Sequence, residues 1–235
     1  MYDLGSIICL INCSWMKQFK VIEQLKLIDG ELKCKTMSGR AYQKAHYKQG
    51  DLDGACGAYS VAMAMNILGV LDADDIYDSS RIDKRTTYGK LIKTLNEGNG
   101  LYPDGLFARD IRKILLDNYS KCVDVRCVSN NKKSLIEKAV DCINDNTPII
   151  IGIRFNKHDG HWIVIIGYEI DEDDNIVALL ALDPGSNSPV YSYWNGYLDL
   201  RKIPHKTYAY TYTSDYTKMV LIDDGVIITP KKANK

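Results

Sequence analysis

Three apolar runs separated by short polar turns fill residues 148–182 and restrict the architecture more than any other part of the chain. Pro148 to Phe155 reads PIIIGIRF, His161 to Ile170 reads HWIVIIGYEI, and Ile176 to Leu182 reads IVALLAL. Each has the length and the β-branched content of a buried strand. The turns over 156–160 (NKHDG) and 171–175 (DEDDN) are polar throughout, and the second is short enough to fold His161–Ile170 and Ile176–Leu182 into an antiparallel pair. Asp183-Pro184-Gly185 then stops the third run.

Upstream, Ala58 to Leu68 reads AYSVAMAMNIL before Gly69 ends the pattern. Apolar residues stand on nearly every side of this segment, which predicts a helix buried within the domain instead of lying on its surface. The Gly- and Asp-rich loop QGDLDGACG over Gln49–Gly57 leads straight into it, so Cys56 falls at the N-terminal end of the helix. The pattern from Asp72 to Tyr119 is helical and predicts a helical subdomain, with breaks over 98–105 separating Lys90–Asn96 from Leu106–Tyr119. Val123–Val128 alternates like a strand, Lys132–Asn144 is an amphipathic helix, and Tyr- and Thr-rich runs follow, including Tyr208–Thr213 and Met219–Ile222. The expected class is α+β. Residues 1–40 read as an attached segment, with Trp15, Phe19, Ile22 and Leu25 spaced for one helical face; 41–225 read as the domain and 226–235 as a basic tail.

Thirty basic residues balance thirty acidic ones, so no overall field draws the chain onto nucleic acid or an anionic membrane. The apolar stretch Leu4–Trp15 is too short to span a bilayer and has no basic leader. Seven cysteines form an odd set without a CxxC pair, in a chain too long to depend on disulfides. A cytoplasmic protein is therefore expected, or an effector exported without a conventional signal. No paired Cys/His ligand spacing supports a metal site, and the acidic run Glu169–Asp174 reads as a solvated hairpin tip, since it lacks the Gly that a calcium loop needs.

Cys56 is the cysteine with chemistry to perform. A thiol attacks a carbonyl as its thiolate, which the N–H groups and dipole of a helix N-terminus favour, as does a neighbouring imidazolium. Gly54 and Gly57 leave room beside it for a substrate backbone. His161 opens a core strand, from whose edge its ring can take and return the thiol proton. His46, His158 and His205 compete with it but do not border so strong a strand. Asp183 closes the paired strand at the same end of the sheet, where its carboxylate can orient the imidazole, with Asn187 as the fallback. Trp162, Trp194, Tyr191 and Tyr193 are candidates to line a substrate groove, although Trp162 reads more readily as core packing.

Taken in order, Gln49, GACG around Cys56 opening a buried helix, a helical subdomain, PIIIGIRF, DGHWIVIIGYE and LALDPG resemble the papain-like cysteine protease superfamily, and within it the bacterial C39-like peptidases, over roughly residues 45–200. The resemblance implies a papain-like fold in which the nucleophile helix and its helical subdomain pack on an antiparallel sheet. It implies hydrolysis of a protein or peptide amide through an acyl-enzyme, with no metal or organic cofactor, and it makes Gln49 the oxyanion donor beside the Cys56 backbone N–H. Such families carry the glutamine six residues before the cysteine and here it stands seven before, so either the loop bulges by one residue or another donor fills the role. Ala58 replaces their proline without harm to an early helix position. Deamidation or acyl transfer would use the same three residues, and a non-catalytic peptide-binding module would keep the scaffold alone. Without a membrane span or a GxxxxGK[ST] loop, a free-standing enzyme is expected.

Overall fold

The computed structural model describes residues 18–49, 55–72, 106–129 and 132–231. Strands β1 (Gln18–Val21), β2 (Lys26–Ile28), β3 (Glu31–Lys35) and β4 (Tyr42–Lys44) precede helix α1 (Cys56–Ile67). Helix α2 (Ala108–Tyr119), strand β5 (Val123–Val128) and helix α3 (Lys132–Asn144) follow. The sheet is then completed by β6 (Ile149–Arg154), β7 (Gly160–Ile170), β8 (Ile176–Leu182), β9 (Gly196–Asp199), β10 (Tyr210–Thr213) and β11 (Thr217–Pro230).

The three apolar runs become β6, β7 and β8, neighbours in one antiparallel sheet. The pairings continue from β6 to β11, β10, β9 and back to β8, so the strands close into a barrel-like ring, with β1 and β5 added at its margins. Closure explains why these strands are apolar on both faces. One face lines the ring, and helices α1 and α3 cover the other where they pack on β6 and β7. Strands β2, β3 and β4 form a separate antiparallel sheet, joined to α1 where the Cys34 thiol meets the buried Asn66 side chain at 2.6 Å.

Helix α1 is buried over ten of its twelve residues, as its all-round apolar sequence requires. It ends on Gly69 at φ +67°, with Gly69 N–H donating to Asn66 O (3.0 Å) and Val70 N–H to Met65 O (2.9 Å). These two bonds form a Schellman turn, which glycine enters without a steric penalty. Ser60 Oγ donates to Trp162 O at 3.1 Å and fixes the N-terminal half of α1 over the beginning of β7. Cys56, one turn earlier on the same face, is thereby brought toward His161.

Two expectations change at the ends of the chain. Residues 18–21, spaced for a helical face, instead extend the sheet by pairing with Gly167–Ile170 of β7; a Cβ on Gly167 would come within 2.3 Å of Lys20 O, so this edge accepts a strand because glycine stands there. Trp15 lies outside the described residues. At the other end, β11 runs on to Pro230, and Val226 and Ile228 are buried against β5, five residues into the stretch that reads as a basic tail. The adjacent Asp223 and Asp224 break the apolar alternation and hide this long strand, which absorbs them in a bulge between Ile222 and Gly225. Of the helical subdomain, α2 is described, and residues 73–105 lie outside the described residues. No described helix is long and apolar enough to cross a membrane.

Candidate active site

His161 is the second residue of β7, and Asp183 follows the last residue of β8. Because Val164 faces Leu182 in the antiparallel register, the turn after β8 runs back beside the start of β7. His161 Nε2 and Asp183 Oδ1 meet there at 2.6 Å, with the imidazole 9% exposed and the carboxylate fully buried. Cys56 lines the same cleft as His161, and its thiol is among the groups that raise the pKa of the imidazole. Burial alone would lower the His161 pKa, but the hydrogen bonds to Asp183 and Cys56 outweigh it and push the value up to about 10. Burial likewise disfavours the Asp183 carboxylate. Its bonds to His161, Tyr212 and the Gly185 N–H reverse that and hold it below the usual carboxylate range.

The supports of Asp183 were not legible in the sequence. Tyr212 O–H donates to Asp183 Oδ2 at 2.7 Å from inside the ring, where the phenol is fully buried. Gly185 N–H donates to Oδ1 at 2.7 Å; a Cβ at Gly185 would press on that same oxygen at 3.1 Å. Asn195 holds the backbone of Asp183 from both sides, accepting from its N–H at 2.7 Å and donating to its carbonyl at 2.9 Å. Phe155 stacks beside His161 with centroids 6.4 Å apart and narrows the approach of solvent to the ring. No periodicity marks any of these residues, because each acts through a contact distant in sequence.

Among the described residues no competing histidine bonds the Asp183 carboxylate, although His158 lines the same cleft as His161. His46 Nε2 lies 2.8 Å from Asp183 O and its Nδ1 3.2 Å from Ser188 Oγ, the pattern of a neutral ring that donates to the carbonyl and accepts from the hydroxyl. Burial lowers its pKa to match. His158 is exposed in the β6–β7 turn, and His205 is exposed at φ 61°. Asn187 accepts from Lys48 Nζ at 3.0 Å and does not reach the imidazole.

An open cleft of ≈ 440 Å³ holds Gln49, Cys56, His161 and Trp162 on its walls. Gln49 N–H donates to Pro184 O at 2.8 Å, which ties the glutamine loop to the Asp183 turn, and Gln49 Oε1 is buried without a partner among the described residues. Residues 50–54, and with them Gly54 and the question of the extra loop residue, lie outside the described residues. The N-cap Ala55 makes no side-chain cap bond to the first-turn N–H groups of α1, at whose start Cys56 stands. Gly57 serves packing: a Cβ there would lie 3.2 Å from Trp162 Cδ1 and 3.3 Å from Leu106 Cδ1, so the indole fills the room reserved for a substrate backbone. Trp194 stacks on Phe19 at 5.1 Å, and neither it nor Tyr191 or Tyr193 lines this cleft.

The Peptidase C39 like family matches residues 40–216, three quarters of the chain and every residue of this arrangement. The chain belongs to the peptidase C39-like family. Membership brings with it the papain-like fold and supports a cysteine peptidase acting on a peptide. Among solved structures, the crystal structure of UfSP from C. elegans is similar to this C39-like chain at a TM-score of 0.42 and 12% identity. The likeness covers 92% of this chain and 35% of that one, so the C39-like chain spans about a third of its length. No curated protein matches it.

Proposed function

We propose that the chain is a thiol peptidase that cleaves peptide or isopeptide amides through an acyl-enzyme, with Cys56 as nucleophile, His161 as base and Asp183 as orienter. The observation that carries this reading is the cleft shared by Cys56, at the start of α1, and a buried His161 ring bonded to the Asp183 carboxylate. With Nε2 engaged by Asp183, the other ring nitrogen holds the proton that the thiol has given up, and the thiolate sulfur attacks the carbonyl carbon. Oxyanion charge develops beside the Cys56 N–H and the Gln49 amide, which stabilise it. His161 then passes its proton to the leaving nitrogen, and the amine departs from a thioester on Cys56. Water attacks this thioester as His161 takes one of its protons; the acid leaves, and the thiol is restored. An amine in place of water would make the same site an acyltransferase.

Iodoacetamide labelling tests the reading, since Cys56 is buried whereas Cys122 and Cys127 are exposed. If accessibility alone governed the rate, Cys56 would react last. Activation by His161 is expected to make it first, by about tenfold or more, and His161→Ala should abolish the lead. Peptide mapping that finds Cys122 and Cys127 labelled ahead of Cys56, with no response to His161→Ala, favours a peptide-binding module without catalysis.

Tyr212→Phe probes the support of the carboxylate. Removing the phenol leaves Asp183 Oδ2 buried and unpaired, at a cost of about 1–3 kcal/mol, and takes away a bond that lowers the Asp183 pKa. The acid-side loss of peptidase activity should therefore move to higher pH than in the wild type. A pH–rate profile reads this, and an unchanged acid limb would reduce Tyr212 to a packing role.

A further inference from the structure

The cleft is asymmetric in charge on the side formed by β6 and β11. In their register Ile222 faces Ile153 and Gly225 faces Ile151, so Asp223 and Asp224 together stand opposite the single residue Gly152. A bulge of this kind turns side chains that a regular strand would send elsewhere, and both aspartates reach the cleft wall that also holds Cys56. Asp223 is neutralised by Arg154 Nε. Asp224 is half-buried, and among the described residues no hydrogen bond or ion pair reaches its carboxylate. Burial and then Asp223 push its pKa up, while Arg154, already committed, opposes them.

The same cleft also offers apolar surface. Leu106 and Phe107 line it just before α2, and Gly152 contributes backbone without a side chain; a Cβ there would press on the Trp162 ring at 3.3 Å. Walls of this kind accommodate the methylene stem of a long side chain, and a half-buried carboxylate meets its cationic head. Lys157, a cation on the same cleft, is exposed in the β6–β7 turn, where solvent screens it more than it screens Asp224.

We propose that Asp224 is a specificity residue that selects substrates carrying a lysine or arginine side chain at one fixed position near the scissile amide. The inference rests on Cys56 being the nucleophile of this cleft, and its test separates the two. Fluorescein-labelled hexapeptides of alanine, with lysine, norleucine or glutamate stepped through each position, are titrated into Cys56→Ala protein by anisotropy. At one position lysine should bind about tenfold more tightly than norleucine. That preference should vanish in Cys56→Ala/Asp224→Asn and turn toward glutamate in Cys56→Ala/Asp224→Lys. Equal affinity for lysine and norleucine at every position, or a preference that survives Asp224→Asn, overturns the inference whatever the chemistry of Cys56. In parallel, chloromethyl ketones of the best lysine sequence and its norleucine counterpart are reacted with otherwise wild-type protein. Alkylation of Cys56 by both at one rate keeps the nucleophile and removes the specificity; alkylation by neither, with lysine-selective binding intact, does the reverse.

Discussion

Replacing Asp183 by Asn is expected to lower kcat/KM by about a hundredfold or more and to draw the alkaline limb of the pH profile downward. The carboxylate is what keeps the buried His161 ring protonated against its desolvation. An amide of the same shape preserves packing but presents no charge, and one of its two ends directs N–H groups at a ring nitrogen that needs an acceptor. In the wild type the imidazolium persists from its ordinary value near 6.5 up toward about 10, and activity should hold over that interval. Stability follows the same sign. A raised histidine pKa adds stability that is complete below the unfolded value and is lost as pH climbs through the folded one. Wild-type urea midpoints should therefore fall between pH 6.5 and pH 10, and Asp183→Asn should flatten the slope. A variant whose alkaline limb and urea slope both match the wild type would show that Asp183 does not govern the proton on His161.

Trp162→Ala is expected to cost about 3–5 kcal/mol, a substantial share of the stability of a single domain. The indole is 8% exposed and lies against Gly57 of α1 and Gly152 of β6, both without side chains. Its Nε1–H donates to Leu106 O at 2.7 Å. Truncation opens a cavity between helix and sheet and leaves that carbonyl without its donor. Because the indole also lines the cleft with Cys56, activity should fall with stability, and Trp162→Phe, which refills most of the volume, should recover part of both. Urea denaturation and peptide turnover measure the two effects; a loss under 1 kcal/mol would mean that the cavity collapses without consequence.

Gly57 illustrates how one residue type serves two readings. In sequence its missing side chain beside a nucleophilic cysteine looks like space for substrate, and in three dimensions the space is taken by an indole from a strand more than a hundred residues away. Tyr212 and Asn195 show the reverse. Nothing in a Tyr- and Thr-rich strand, or in an Asn within a loop, distinguishes a side chain that holds a carboxylate from one that faces solvent.

Local patterns were sufficient for β6, β7, β8 and α1, because burial on all sides leaves a continuous apolar run that few other structures can satisfy. They also placed Cys56 at a helix start, and His161 and Asp183 at the same end of paired strands, since hairpin geometry follows from strand and turn lengths. Ring closure, the strand that replaced a helix at Gln18–Val21, and the bulge that turns Asp224 into the cleft depended on pairings across the whole chain. Such pairings are decided by which edges remain unpaired once the core has formed, a property of the assembled sheet that no single segment carries.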